Sequence, residues 1–142
     1  MFTKPNFLGV VLALVALAVL CGCGAVKGKA AAERAVTDFH SKLDAGDFKT
    51  IYDGAHADLK QSSTSKDFTI LLEAIHRKLG TVQKSEAAGW NVSSVNLQTN
   101  VTLTYKTKFA EGDGTETFVY RVNRGSALLC GYNINSTALI TK

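Results

Sequence analysis

The run Ser94-Val95-Asn96-Leu97-Gln98-Thr99-Asn100-Val101-Thr102-Leu103-Thr104-Tyr105-Lys106-Thr107-Lys108-Phe109 alternates with a period of two along its whole length. Val95, Leu97, Thr99, Val101, Leu103, Tyr105, Thr107 and Phe109 share one face. Polar residues from Ser94 to Lys108 take the other. Successive side chains of a strand point to opposite faces, so this pattern predicts a long strand with one face buried and one wet, as antiparallel sheets allow. Downstream, Glu111-Gly112-Asp113-Gly114 reads as a turn whose glycines supply positive φ. Thr115 to Val122 then returns with Phe118, Tyr120 and Val122 facing in, and Asn123-Arg124-Gly125 turns the chain again. A final strand is expected to carry Leu128, Cys130, Tyr132 and Ile134 inward, with Gly131 marking a bulge. Val82 to Trp90 reads as a less regular edge strand.

Upstream the period is helical. Ala32, Val36, Phe39 and Leu43 fall on one face of a helix from Ala30 to Leu43, stopped by Gly46. Asp47 is placed to cap a short helix carrying Phe48, Ile51 and Tyr52 inward and ending near Asp53-Gly54. Ala55 to Leu59 reads as a further turn, and Gln61 to Ser65 as a loop. Thr64 or Ser65 caps a third helix with Phe68, Leu71, Leu72, Ile75 and Leu79 on its apolar face and Gly80 as its stop. Helices first and a strand meander after them predict an α+β fold, N-terminal helices packed on one face of a curved antiparallel β-sheet.

Charge is modest and interspersed: 16 Lys and Arg against 12 Asp and Glu. No basic stripe with interleaved aromatics exists, which excludes nucleic-acid binding as a reading. The inward faces of the strands carry Val, Leu, Thr, Tyr and Phe without an ionisable pair, whereas acid–base catalysis needs a positioned group with a tuned pKa. The expectation is therefore no enzyme and no cofactor. His40 borders the apolar face of the first helix, His56 falls in a loop without a partner, and His76 sits with Arg77 and Lys78 where cations oppose the helix dipole. None has metal-site spacing, so no metal is assigned. Tyr52, Tyr105, Tyr120 and Tyr132 are the candidates to line a pocket, with core packing as the plainer role. Trp90 reads either as an exposed contact or as an aromatic packed over the sheet edge. Three Asn-x-Ser/Thr triplets are read as coincidence in an Asn/Thr-rich sheet.

Several stretches carry a family resemblance. Ala45-Gly46-Asp47-Phe48, Leu79-Gly80-Thr81-Val82 and Gly131-Tyr132-Asn133-Ile134-Asn135-Ser136 resemble the helix break, the helix-to-strand crossing and the closing strand of the cystatin-like cone of the nuclear-transport-factor-two superfamily. That resemblance implies the fold. Its members include isomerases, pocket binders and assembly modules, so it implies no activity.

The N-terminus supplies an address. Phe7 to Leu20 is an apolar run behind a start carrying Lys4, with the pattern of a secretory signal and too short for a span of roughly 20 residues. Leu20-Cys21-Gly22-Cys23 resembles the lipobox of bacterial lipoproteins, in which the signal is cut before a cysteine that is then acylated. Cys23 is preferred over Cys21 as acceptor because Gly22 puts a small residue before the cut. This resemblance implies residues 1–22 as signal, 23–29 as a lipidated tether and 30–142 as a single domain of ordinary size. Gly24 after the cysteine implies outer-membrane sorting in a cell with two membranes. Cys130 is then the one remaining thiol, read as buried and inert. Lys27 and Lys29 lie where anionic headgroups would attract them, by about 1 kcal/mol each. The expected protein is a lipid-anchored accessory domain of the cell envelope, binding an envelope protein or itself. The alternative is a pocket for a small apolar or lipidic ligand.

Overall fold

The computed structural model describes residues 7–141, with side chains for 24–141. The side chain of Cys23, and with it the lipidation reading, lies outside the described residues. The chain is α+β: α1 (Phe7–Asp44), α2 (Phe48–Asp53), α3 (Ala57–Ser62) and α4 (Ser65–Leu79) precede β1 (Val82–Val95), β2 (Gln98–Phe109), β3 (Gly112–Asn123) and β4 (Ser126–Asn135), and α5 (Ala138–Thr141) closes the chain. The four strands form one antiparallel meander in the order β1-β2-β3-β4. Val36, Phe39, Leu43, Leu72, Ile75 and Leu79 meet Val101, Leu103, Phe109, Phe118 and Leu129 in one core.

α1 begins earlier than its apolar spacing predicts. Residues 24–29, expected as an extended tether, are helical. Gly28 is buried against Val122 and Val101, whose methyls would lie 3.6 and 3.8 Å from a Cβ at that position, ordinary packing distances. The helix therefore packs on the sheet at this end. At its other end Asp44 accepts a hydrogen bond from the Val82 N–H at 2.9 Å, tying α1 to the first strand. Gly46 and Gly80 adopt positive φ, as stop signals should. Thr64 caps α4 by accepting from the Asp67 N–H at 3.2 Å, while Asp47 occupies the cap position of α2 without a side-chain bond. α3 runs through Ser62, which shortens the expected loop. Leu71, expected inward, is 40% exposed.

The sheet corrects the strand reading in three places. Ser94 to Phe109 is not one strand: Asn96 and Leu97, at φ of 51° and 62°, form the turn between β1 and β2. Val95 and Leu97, expected in the core, are exposed. The second turn is Ala110-Glu111, so Gly112 and Gly114 lie within β3, and neither has a positive φ. Their smallness answers a steric need instead. A Cβ at Gly112 would sit 2.7 Å from the Ala138 Cβ, and one at Gly114 would sit 3.0 Å from Ile134.

On β4 the register shifts between the Val119–Gly131 and Tyr120–Leu129 pairs, leaving Cys130 as the extra residue of a bulge beside Gly131. The bulge switches which positions face in. Leu129 is buried, Leu128 is exposed, and Cys130 is half-buried at the edge of the core. β1 is an edge strand, as expected, with its own register shifts at Val82/Lys84 and Ala87/Gly89.

Candidate functional site

The alternation of β3 puts Glu116 on the same face as Phe118 and Tyr120, and the sequence reading overlooked it. Its carboxylate has no solvent-accessible surface. Three elements converge on it. His40 of α1 places Nε2 2.7 Å from Oε2. Thr107 of β2 donates its hydroxyl to the same oxygen at 2.5 Å, and Tyr132 of β4 donates to Oε1 at 2.8 Å. Thr107 has one hydroxyl proton and gives it to Glu116, so the Ser85 hydroxyl, 3.1 Å away on β1, must donate to Thr107. One carboxylate thus gathers side chains from α1, β1, β2 and β4 onto β3. This corrects the expectation that the inward faces lack an ionisable pair, and the expectation that His40 merely borders its helix face.

Aromatic rings wall the carboxylate in. Phe39 lies 5.1 Å from Phe118 and 4.8 Å from Tyr132 between centroids, and His40 lies 5.7 Å from Phe118. Burial first, and then the neighbouring Glu116 charge, hold the Tyr132 hydroxyl well above the ordinary tyrosine range. Enclosed in this way, the group has the hydrogen-bond saturation of a structural carboxylate. A general acid or base must come within hydrogen-bond reach of the proton it moves, and this one is walled off on every side.

The four tyrosines do not enclose a common cavity. Tyr105, Tyr120 and Tyr132 surround Phe118, whose ring fills the space between them. Tyr52 lies apart, donating to the Ser63 carbonyl at 2.9 Å and tilted against Phe68. Tyr105 is half-buried, and desolvation raises its pKa, with Glu33 adding to the shift. The buried Tyr120 hydroxyl has no hydrogen-bond partner among the described residues, and burial likewise raises its pKa. It adjoins a crevice of about 60 Å³ bordered by Asp38, Phe39, Lys42, Ile51 and Leu129. That is room for ordered water beside the hydroxyl, since one water needs about 10–15 Å³ of such space. Asp38, at the border of this crevice, accepts from Lys42 at 2.6 Å.

The outer face holds a second polar cluster. Arg121 donates from Nε to Asn100 at 2.6 Å, from Nη1 to Gln98 at 2.6 Å and from Nη2 to Asp58 at 2.8 Å. The polar side chains of β2 are therefore partly consumed within the molecule. His56, expected to stand alone in a loop, caps α3: its Nδ1 accepts the Asp58 N–H at 3.1 Å. His56, Asp58 and Cys130 bring one ligand atom each within 4.8 Å of one another. The histidine lone pair and the Asp58 carboxylate are already engaged, and burial pushes the Cys130 thiol up, against the thiolate a metal needs. His76 packs edge-on to Phe48 at 5.9 Å near the end of α4.

Two larger concavities are open grooves. One, of about 610 Å³, lies over the outer face and is bordered by Lys84, Glu86, Lys106, Lys108 and Asp113, so its charges are mixed. The other, of about 700 Å³, lies beside residues 24–28 of α1. Trp90 is 59% exposed on β1, with the Lys29 ammonium 5.7 Å from its ring centroid. Among the described residues no helix is long and apolar enough to cross a membrane. No protein-family model matches the sequence, and no curated protein matches it.

Proposed function

We propose that this chain is a lipoprotein of the bacterial cell envelope, acylated at Cys23, whose cystatin-like domain is a non-enzymatic module that binds a protein partner at the β1 edge. The observation that carries the reading is the contrast between two places. Glu116, the group best equipped for chemistry, is sealed and saturated with donors. Trp90, on the helix side of an edge strand, is the large aromatic left uncovered. Tryptophan is enriched at interface hot spots because it buries a large area at small entropic cost. The register shifts in β1, with Lys84 and Glu86 along it, oppose indiscriminate strand addition, which favours the side-chain surface around Trp90 and Lys29 over backbone pairing.

The helical segment after Cys23 supports a short leash. At about 1.5 Å per residue, the attachment point lies roughly 8 Å before Gly28, where α1 docks on the sheet. The domain would work against the bilayer surface, in the outer membrane of a cell that has two. The test is photocrosslinking in cells with a diazirine amino acid in place of Trp90, set against the same probe at Lys66 on α4. A discrete adduct from position 90 alone supports the reading. Equal, diffuse labelling from both positions refutes it.

A further inference from the structure

The turns Asn96-Leu97 and Arg124-Gly125 lie at the same end of the sheet, because β1–β2 and β3–β4 are alternate hairpins of one meander. α1 enters the domain at this end. Gly28 packs on Val101 and Val122, near the turn ends of β2 and β3, while Asp44 reaches the opposite end of β1. The apolar run Phe7 to Leu20 and Cys23 therefore lead away from the turn end, which is the end that faces whatever the N-terminus is fixed to.

Two properties of this end match a bilayer. Leu97 is fully exposed at the tip of the first hairpin, with Val95 and Val26 also exposed. Leucine at φ of 62° is a costly choice in a two-residue turn, where Asn or Gly serves better. Beside it lies the groove of about 700 Å³, floored by Gly24, Gly28, Val92 and Val122 and flanked by Lys27 and Arg124. No acidic residue borders it, and neither cation has a carboxylate partner among the described residues.

We propose that this end of the domain is a second membrane contact. Leu97 and Val95 insert at the headgroup–acyl boundary, and Lys27 with Arg124 holds the phosphate of an anionic phospholipid over the groove. The inference rests on the anchoring reading above and adds a defined orientation to it. One acyl chain gives only marginal membrane binding, and several fix a protein without orienting it. Apolar and basic contacts beside the anchor would turn the Trp90 edge outward along the membrane surface.

The test uses the intact anchored protein in vesicles of equal parts phosphatidylcholine and phosphatidylglycerol, with or without bromine on the upper acyl chain. Trp90→Phe combined with Leu97→Trp places a single indole at the tip. An apolar group at the boundary sits roughly 5–10 Å deep, so bromine is expected to quench this emission about twofold. In the unaltered protein Trp90 lies roughly 17 Å up the strand from Val95, and its emission should not change. Adding Lys27→Glu and Arg124→Glu to the tip-indole variant should reduce the quenching while the protein still floats with the vesicles. Flotation with identical emission in both vesicle types, or quenching indifferent to the charge reversal, overturns the contact and leaves the anchor standing. A protein that does not float refutes the anchor, and the contact with it.

Discussion

Replacing Glu116 by alanine should be among the most destabilising single changes in the domain. The carboxylate accepts from His40, Thr107 and Tyr132 and exposes no surface. Truncation removes the acceptor and leaves three donors facing apolar rings. An unsatisfied buried donor costs about 1–3 kcal/mol, and His40 and Tyr132 would both be left without an acceptor. Only Thr107 has a ready substitute, by turning its hydrogen toward Ser85 Oγ at 3.1 Å. The expected loss is therefore about 3–5 kcal/mol, against a net stability of about 5–15 kcal/mol for a domain of this size. In melting temperature that is a drop of roughly 10–20 °C.

Glu116→Gln keeps the volume and separates charge from shape. Its amide oxygen still accepts from Tyr132 and its shape fills the same space, so about 1–2 kcal/mol should be lost. Converting the whole cluster to apolar groups, with Glu116→Leu, His40→Phe, Thr107→Val and Tyr132→Phe, should recover much of the alanine loss because no buried donor is left unpaired. The assay is thermal and urea unfolding of the intact protein in dilute non-ionic detergent, followed by circular dichroism. A Glu116→Ala loss below about 1 kcal/mol, or equal losses for alanine and glutamine, would refute a saturated buried carboxylate as the lock between α1 and the sheet.

Alkali should unfold the domain cooperatively. Tyr120 and Tyr132 have folded pKa values raised by burial, so the folded state keeps protons the unfolded state sheds. Stability is intact below the unfolded tyrosine pKa of about 10 and falls above it, by about 1.4 kcal/mol per pH unit for each such tyrosine. Tyrosinate absorbance that rises smoothly, without a step coincident with loss of ellipticity, would contradict this. Leu97→Gly should raise the melting temperature, since relief of the left-handed strain, about 1–2 kcal/mol, exceeds the added chain entropy of about 0.5–1 kcal/mol. A lower melting temperature would place Leu97 in a packed role. Gly112→Ala should cost about 1–3 kcal/mol by driving its Cβ into Ala138, detectable as faster amide exchange in α5. Cys130 should alkylate more slowly in the folded protein than in urea, because burial raises its thiol pKa.

The α+β class was legible because two periods divide the chain, and the glycine stops at Gly46 and Gly80 were legible because each takes positive φ. The hairpin at Asn96-Leu97 was hidden by parity. In β2 the odd positions Val101 and Leu103 face in, and Val95 and Leu97 happen to extend that series. In β1 the register shift at Ala87/Gly89 moves the pairing so that Trp90 and Val92 lie opposite Leu103 and Val101. The parity change across the turn would have broken the alternation, but the exposed Val95 and Leu97 put apolar residues at odd positions and conceal it. The bulge at Cys130 did the same to β4, making Leu128 look inward when Leu129 is the buried residue. Alternation reports side-chain direction only while the ladder is regular, and the irregular places in this sheet are its edges and turns.

Glu116 was hidden for a different reason. Its position was legible, two residues before Phe118 on the same face, but charged residues are seldom fully buried without a partner, and the partners were not local. His40 stands 76 positions away, and only the crossing of α1 over β3 joins them. The distance in sequence is also what the cluster accomplishes. At the Gly28 and Ala32 end α1 offers the sheet little side-chain relief, so its rotation is fixed further along, where Val36, Phe39 and Leu43 pack in the core. The bond from His40 selects one azimuth, the Thr107 and Tyr132 bonds hold the carboxylate to a single rotamer, and Asp44 pins the far end at Val82. With that rotation set, Lys29 meets Trp90, and the N-terminal end of α1 leaves beside Leu97 and Arg124. A variant that frees the rotation, such as His40→Ala, should therefore loosen the turn end before it unfolds the core, visible as faster amide exchange at residues 24–28 with β2 still protected. Uniform acceleration across α1 and β2 would mean that the cluster supports global stability alone and does not set the orientation of the helix.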